Sequence, residues 1–363
     1  MRTTGIGLFV VLLTPLVAHA DEQEVALRSF ASNIQSFPTY RVKYKLTQTS
    51  AASEADAIAG RWENSKSAVA TLIVDGEFEK FECDAGPPPR PPAKGGTSFT
   101  SVPFVSSQYL AGPPGAAGYT SGLSAINLFA KESGKSGMVD ATPLNMGVMG
   151  HRNTHGPDRL AADALAYTTA FRGREQVSGR AAVGVGITKK QTGEVFDFWL
   201  DPERGHLPLQ IDVKLVSKRV WRTRLLSARL CPGDRWFPER VLSTVPKAAG
   251  GAAVTVNEIL VLELDVDTKP RPEDFCFKAP AGTQVFIQDK PGGIRLKQDE
   301  TICGNNLDDL FGIVERSSAN PLIDTGLAPQ PRRLSWWWAC VAGGLILLIV
   351  GLVRYRRTRP AQK

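Results

Sequence analysis

The run Phe196-Asp197-Phe198-Trp199-Leu200-Asp201-Pro202-Glu203-Arg204-Gly205-His206-Leu207-Pro208-Leu209-Gln210-Ile211-Asp212-Val213 decides the fold. Apolar and polar residues alternate on both sides of Asp201 to Gly205, a turn whose proline fixes φ and whose glycine accepts positive φ. It reads as two antiparallel strands, Glu194 to Leu200 and Leu209 to Leu215. Working outward, Ala181 to Ile187, Arg219 to Leu230, Trp236 to Val245 and Val254 to Leu264 repeat the pattern, with Pro232-Gly233-Asp234 as a further turn. No strand-helix alternation argues for a parallel sheet, so the economical account is a long antiparallel meander, curved and apolar on one face.

Upstream, Asp21 to Phe37 places Val25, Phe30, Ile34 and Phe37 at near-helical intervals, with acids near its start. This predicts an amphipathic helix whose apolar stripe lies on something else. From Tyr40 the period becomes two: Tyr40, Val42, Tyr44 and Leu46 alternate with Arg41, Lys43, Lys45 and Thr47, as in a half-buried strand. Ala57 to Trp62, Ala68 to Asp75 and Glu77 to Cys83 are expected to continue as short strands, the last two joined by a tight Asp75-Gly76 turn.

The pattern breaks at Gly86-Pro87-Pro88-Pro89-Arg90-Pro91-Pro92, where the prolines cannot donate ladder hydrogen bonds. A second break, Gly112 to Gly118, bounds the weakly patterned Thr97 to Ala111. Ser124 to Ala130 and Pro157 to Ala170 read as helical. The region around 84–179 is therefore expected to be a proline- and glycine-rich insertion on a sheet core.

The chain has 363 residues and a net charge of +7, which resembles a nucleic-acid signal until it is located. Residues 1–20 carry one charged group, Arg2, an apolar run from Gly5 to Val17, and Ala18-His19-Ala20, the pattern of a secretory signal. Trp336-Trp337-Trp338 opens an uncharged run over 336–353, which Arg354-Tyr355-Arg356-Arg357 follows at once. This predicts one transmembrane helix with tryptophans at one interface and a basic cytoplasmic tail, 354–363. Residues 21–331 then carry 35 basic and 36 acidic groups, so no net positive charge remains to attract nucleic acid. The expected location is a bacterial cell envelope, as a single-pass inner-membrane protein with its N-terminal domain outside the cytoplasm; outer-membrane spanning proteins are usually barrels.

Outside the cytoplasm Cys83, Cys231, Cys276 and Cys303 can form disulfides in three full pairings, or remain buried thiols. Their spacing fits no zinc pattern. His151 and His155 are four apart, but Gly150 and Gly156 bracket them and no glutamate of the hydrolytic zinc motif lies between. Gly184-Val185-Gly186 is too short for a nucleotide loop, and no serine sits in a Gly-x-Ser-x-Gly elbow. Glu263 and Asp265 share one side of a strand, as an acid-base pair would, yet that spacing is more often a solvated face. The chain is read as no enzyme, with no cofactor and no metal.

The order Phe198-Trp199-Leu200-Asp201-Pro202-Glu203-Arg204-Gly205-His206-Leu207-Pro208, then Trp236-Phe237-Pro238, then Phe275-Cys276-Phe277-Lys278-Ala279-Pro280-Ala281-Gly282-Thr283-Gln284-Val285 resembles secreted bacterial proteins of the lipoprotein-sorting carrier type, with a LolA-like fold. The resemblance covers 24–83 loosely and 180–290 better. It implies a mainly β, α+β architecture: an incomplete antiparallel barrel wrapped around helices, with an apolar interior that takes acyl chains in relatives. The carriers are soluble shuttles, whereas this chain is expected to be tethered. Tyr40, Val42, Tyr44 and Leu46 on the first clear strand, and Phe196 and Phe198 on a later one, are candidate lining groups; ordinary core is the other reading of the same alternation. The expected ligand is a lipid or a lipidated protein. The alternative is a protein partner, met through an interaction or sensing ectodomain without a lipid.

Overall fold

The computed structural model describes residues 22–84, 107–120, 124–130, 142–144, 146, 167–191, 193–214, 220–247, 251–266, 268–288, 290 and 292–319. The signal segment, the 336–353 run, the basic tail, the proline-rich 86–92 stretch and His151 and His155 all lie outside these residues. Among the described residues no helix is long and apolar enough to cross a membrane.

Helix α1 spans 22–35. It turns directly into strand β1 (Thr39–Ala51), whose alternating side chains bury Tyr40, Val42, Tyr44 and Leu46. On one side β1 pairs with β2 (Glu63–Asp75), which turns through the expected Asp75-Gly76 hairpin into β3 (Phe78–Asp84). Beyond β3 lie β4 (Ser107–Gly112), β5 (Gly115–Thr120) and β6 (Ala125–Ala130). On its other side β1 pairs with β13 (Val254–Asp265), and the sheet continues backwards along the chain. The strands there are β12 (Arg235–Pro246), β11 (Val220–Cys231), β10 (Leu207–Lys214), β9 (Val195–Asp201), β8 (Arg180–Lys189) and β7 (Tyr167–Val177). All these pairings are antiparallel, as the meander predicts.

A C-terminal module closes the far end. Its strand β15 (Gln284–Ile287) adds to β6 in parallel and carries the edge strand β16 (Ile294–Arg295), completing a fifteen-stranded open sheet among the described residues. A separate ribbon of β14 (Cys276–Ala279) and β17 (Glu300–Cys303) leads into helix α3 (Leu307–Ala319). The ribbon is pinned by a disulfide between Cys276 and Cys303, which face each other across the pair. Cys83 and Cys231 stay buried thiols.

Two cores result. The larger fills the inner face of the sheet, from α1 across β7 to β13 and on to β5. The smaller lies on the outer face of β2 to β6, where Ile73, Leu110, Ala117, Ile126 and Leu128 meet Phe277, Ile302 and Leu307 of the C-terminal module. Strands β4 to β6 are therefore apolar on both faces, which is why period-two reasoning does not find them.

Several expectations change. Ser124 to Ala130 is strand β6 rather than a helix, because β5 and β15 both hydrogen-bond to it. Of Pro157 to Ala170, residues 167–170 belong to β7 and the rest lies outside the described residues. The break at Gly112 to Gly118 is a hairpin: Gly112 pairs with Gly115 and the two prolines form the turn. Gly112 is needed for a close approach, since a Cβ there would lie 2.5 Å from the Gly304 carbonyl oxygen. Ala57 to Trp62 is not a strand. It is mostly helix α2 (Glu54–Ile58), capped by Ser53, whose oxygen accepts from the Asp56 N–H at 3.1 Å, and the Trp62 indole N–H donates to the Ala57 carbonyl at 2.8 Å. Within α1, Val25 is 59% exposed and the buried stripe is Ala26, Leu27 and Phe30, with Ile34 packed on it.

Candidate functional site

Cross-strand register sorts the inner face into rows. Tyr40 aligns with Val74 and Glu79, Val42 with Leu72 and Phe81, and Tyr44 with Ala70 and Cys83. The rows extend onto β4 at Ala111, Tyr109 and Ser107 respectively. Because directly opposed residues share a face, each row points inward with its β1 member. On the opposite flank Tyr44 aligns with Val261 and Leu46 with Ile259. A register shift between Lys43 and Tyr44 turns Leu262 outward, where it is 44% exposed.

The second predicted group lies on β9. Phe198 aligns with Val185 and Ile211, and Phe196 with Ile187 and Val213, so the pair belongs to the same inner face. Helix α1 and the segment that follows it link the two groups. The Phe30 ring lies 6.3 Å from that of Phe198, while Phe237 contacts Phe37 at 5.4 Å and Tyr40 at 5.8 Å. Thus Tyr40, Val42, Tyr44, Leu46 and Phe198 are buried, Phe196 is partly buried, and all six join one apolar cluster.

The outer face of the same strands has the opposite chemistry. Asp197 receives Arg172 Nε at 2.8 Å and Lys214 Nζ at 2.7 Å. Asp212 holds Arg222 through two oxygens at 2.8 and 2.9 Å, and Arg222 and Arg224 reach Glu54 of α2 at 3.3 and 3.2 Å. Arg240 pairs with Glu258 at 2.8 Å. Glu263, one of the paired acids, meets Lys43 at 3.1 Å and is 72% exposed, as on a solvated face. Gly184 and Gly186 are accounted for without a ligand: the Arg172 side chain lies across them on its way to Asp197.

Sequence reasoning missed the polar members of the inner rows. Glu79 is 1% exposed and faces the same side as Tyr40. Burial, then the neighbouring Glu79 charge, raises the Tyr40 phenol well above its ordinary range. Tyr44 is raised likewise, by burial first and then by Tyr40, Cys83 and Glu79, while burial and Asp84 push the Cys83 thiol up to about 11. All three are protonated at neutral pH. Among the described residues Tyr44 Oη and Ser107 Oγ have no hydrogen-bond partner, and both are shielded from solvent. Gly112-Pro113-Pro114-Gly115, read as a hairpin turn, marks a strand at Ser107, whose inward orientation follows from its pairing with Cys83.

Among the described residues no group of three or more His, Cys, Asp or Glu side chains could hold a metal ion. A separate cleft of about 430 Å³ opens in the C-terminal module between β16, β17 and α3, with Ile294, Ile302, Leu310 and Ile313 among its walls.

No family model matches the chain, and no curated protein does. Solved structures do. The chain is similar to a putative outer membrane lipoprotein-sorting protein domain from Vibrio parahaemolyticus at 11% identity and a TM-score of 0.45, covering 70% of this chain and 96% of that one. It is similar to a DUF1329 family protein from Desulfovibrio piger at 13% identity and a TM-score of 0.42, covering 70% and 96%. It is also similar to a LolA superfamily protein from Nitrosomonas europaea at 10% identity and a TM-score of 0.39, covering 66% and 94%.

Proposed function

We propose that this chain is an extracytoplasmic binding domain, tethered by residues 336–353, for an apolar ligand such as a lipid or a lipoprotein acyl chain. One observation carries the reading: the inner face gathers all six predicted lining residues into a single apolar cluster, while ion pairs cover much of the outer face of β7 to β13. On that half of the sheet a chain-shaped apolar ligand therefore has the inner face on which to bind. Its burial there removes surface from water at about 25 cal/mol per Å². Because the lining groups are now covered by protein, an incoming acyl chain takes the place of α1 over Phe198. The work is non-covalent.

The test is a titration of the purified 21–331 fragment with a neutral pyrene-labelled acyl ester in detergent-free buffer. Saturable binding that Phe198→Ala weakens supports the reading, and absence of saturable binding contradicts it.

A second reading, a protein-interaction ectodomain without a lipid, is favoured by the cleft beside α3, where Ile313 is 43% exposed. It predicts that the fragment ignores the acyl probe while retaining a partner through Ile313.

A further inference from the structure

Tyr44 is fully buried on β1, and Ser107 lies three strands away on β4 in the same inward row, with only Ala70 and Cys83 between them. Both intervening side chains are small, so the two hydroxyls bound the row. Among the described residues neither hydroxyl has a hydrogen-bond partner, and both are shielded from solvent. A folded chain seldom leaves two such groups unmet on one row. The oxygens of a ligand bound along the row would meet them.

The charge of those oxygens is decided by what surrounds the row. Glu79, 1% exposed, faces the same interior and its charge acts on both Tyr40 and Tyr44. Among the described residues the inward members of β1 to β4 in these rows are Tyr40, Val42, Tyr44, Ala70, Leu72, Val74, Glu79, Phe81, Cys83, Ser107, Tyr109 and Ala111, none of them a cation. A carboxylate placed here would be desolvated in a buried row beside the Glu79 carboxylate. A neutral ester or amide carbonyl suffers no such penalty and accepts the hydroxyl protons.

Building on the acyl-binding reading above, we propose that the Tyr44–Ser107 row is the polar subsite of the inner face, and that it selects neutral acyl esters and amides over free fatty acids and plain hydrocarbons. Each hydroxyl donates to an ester or amide oxygen at the head of the acyl chain, and the apolar rows of Val42 and Leu46 take the tail. The linkage is shared by free glycerolipids and by lipidated proteins.

The test uses the full chain in amphipol and measures competition against the pyrene-labelled ester by an acyl ester, a fatty acid and an alkane of one chain length. The expected result is an ester preference of about tenfold over the alkane, the worth of one to two net hydrogen bonds, and a still larger preference over the acid at neutral pH. Tyr44→Phe and Ser107→Ala should each reduce the ester preference over the alkane. A diacylglycerol and a diacylglyceryl-cysteine peptide form two further arms, and whichever loses more affinity in Tyr44→Phe names the source of the linkage. Equal binding of ester and alkane by the wild type means that the hydroxyls are met by water only and overturns the subsite while leaving acyl binding intact. Acid binding as tight as ester overturns the neutral-carbonyl assignment. Failure of every probe overturns the acyl reading itself.

Discussion

The Asn33 carboxamide joins helix α1 to the backbone of Trp236: its Nδ2 donates to the Trp236 carbonyl at 2.9 Å and its Oδ1 accepts from the Trp236 N–H at 3.0 Å. Asn33 is 7% exposed, so removing it strands two backbone groups away from water. Asn33→Ala is expected to lower stability by about 2–4 kcal/mol, two unsatisfied groups at 1–2 each. Urea denaturation followed by tryptophan fluorescence measures it. If α1 is the movable cover of the inner face, the same variant also speeds acyl probe entry.

Gly184 lies beneath the Trp199 ring, where an added Cβ would come within 2.5 Å of Trp199 Cζ3 and 2.8 Å of Arg172 Cβ. Gly184→Ala overpacks the contact, at a cost of about 1–3 kcal/mol. A shift in the urea midpoint checks this, and the far-UV spectrum of a β protein should persist.

The Cys276–Cys303 bond closes a segment with a sequence separation of 27, which in the chain-entropy account contributes about 3–4 kcal/mol. Cys276→Ser with Cys303→Ser is therefore expected to lower the thermal midpoint of the C-terminal module. Cys83, whose thiol is pushed up to about 11, resists alkylation at pH 8 until the protein unfolds. Mass spectrometry of iodoacetamide-treated native and unfolded protein distinguishes the two states.

Burial lowers the His206 pKa below its usual 6.5, against smaller opposing pulls from Asp201 and Glu22. The folded state thus favours the neutral ring, and the unfolded state binds more protons below pH 6.5. Stability from this group is full above pH 6.5 and falls as pH drops through the window beneath it. Imidazole NMR titration should show the lowered midpoint, and His206→Gln should flatten stability against pH in that window.

The parts of the fold that follow from alternation were legible. Residues 181–264 read as a meander because short apolar-rich strands are separated by clear turn residues, and the alternation from Tyr40 to Leu46 marks β1. Strands β4 to β6 were not legible, because the C-terminal module covers their outer face and erases the alternation. Helix α2 was missed because its apolar residues are spaced like a short strand, while the deciding interactions are the Ser53 cap and the Trp62 contact. The six candidate lining residues, picked by periodicity, share one face. Ser107 was not picked this way, since its orientation follows only from pairing with Cys83, across a stretch of chain that contains the proline-rich segment.

The central claim, that the inner face holds an acyl-bearing ligand, is tested most directly by native mass spectrometry of the 21–331 fragment secreted by a bacterium and purified without detergent, with organic extraction of the same sample. The account predicts a discrete adduct that extraction identifies as an acyl ester or amide, and its reduced occupancy in Tyr44→Phe. A fragment that carries no adduct and takes up none when incubated with acyl esters would contradict it.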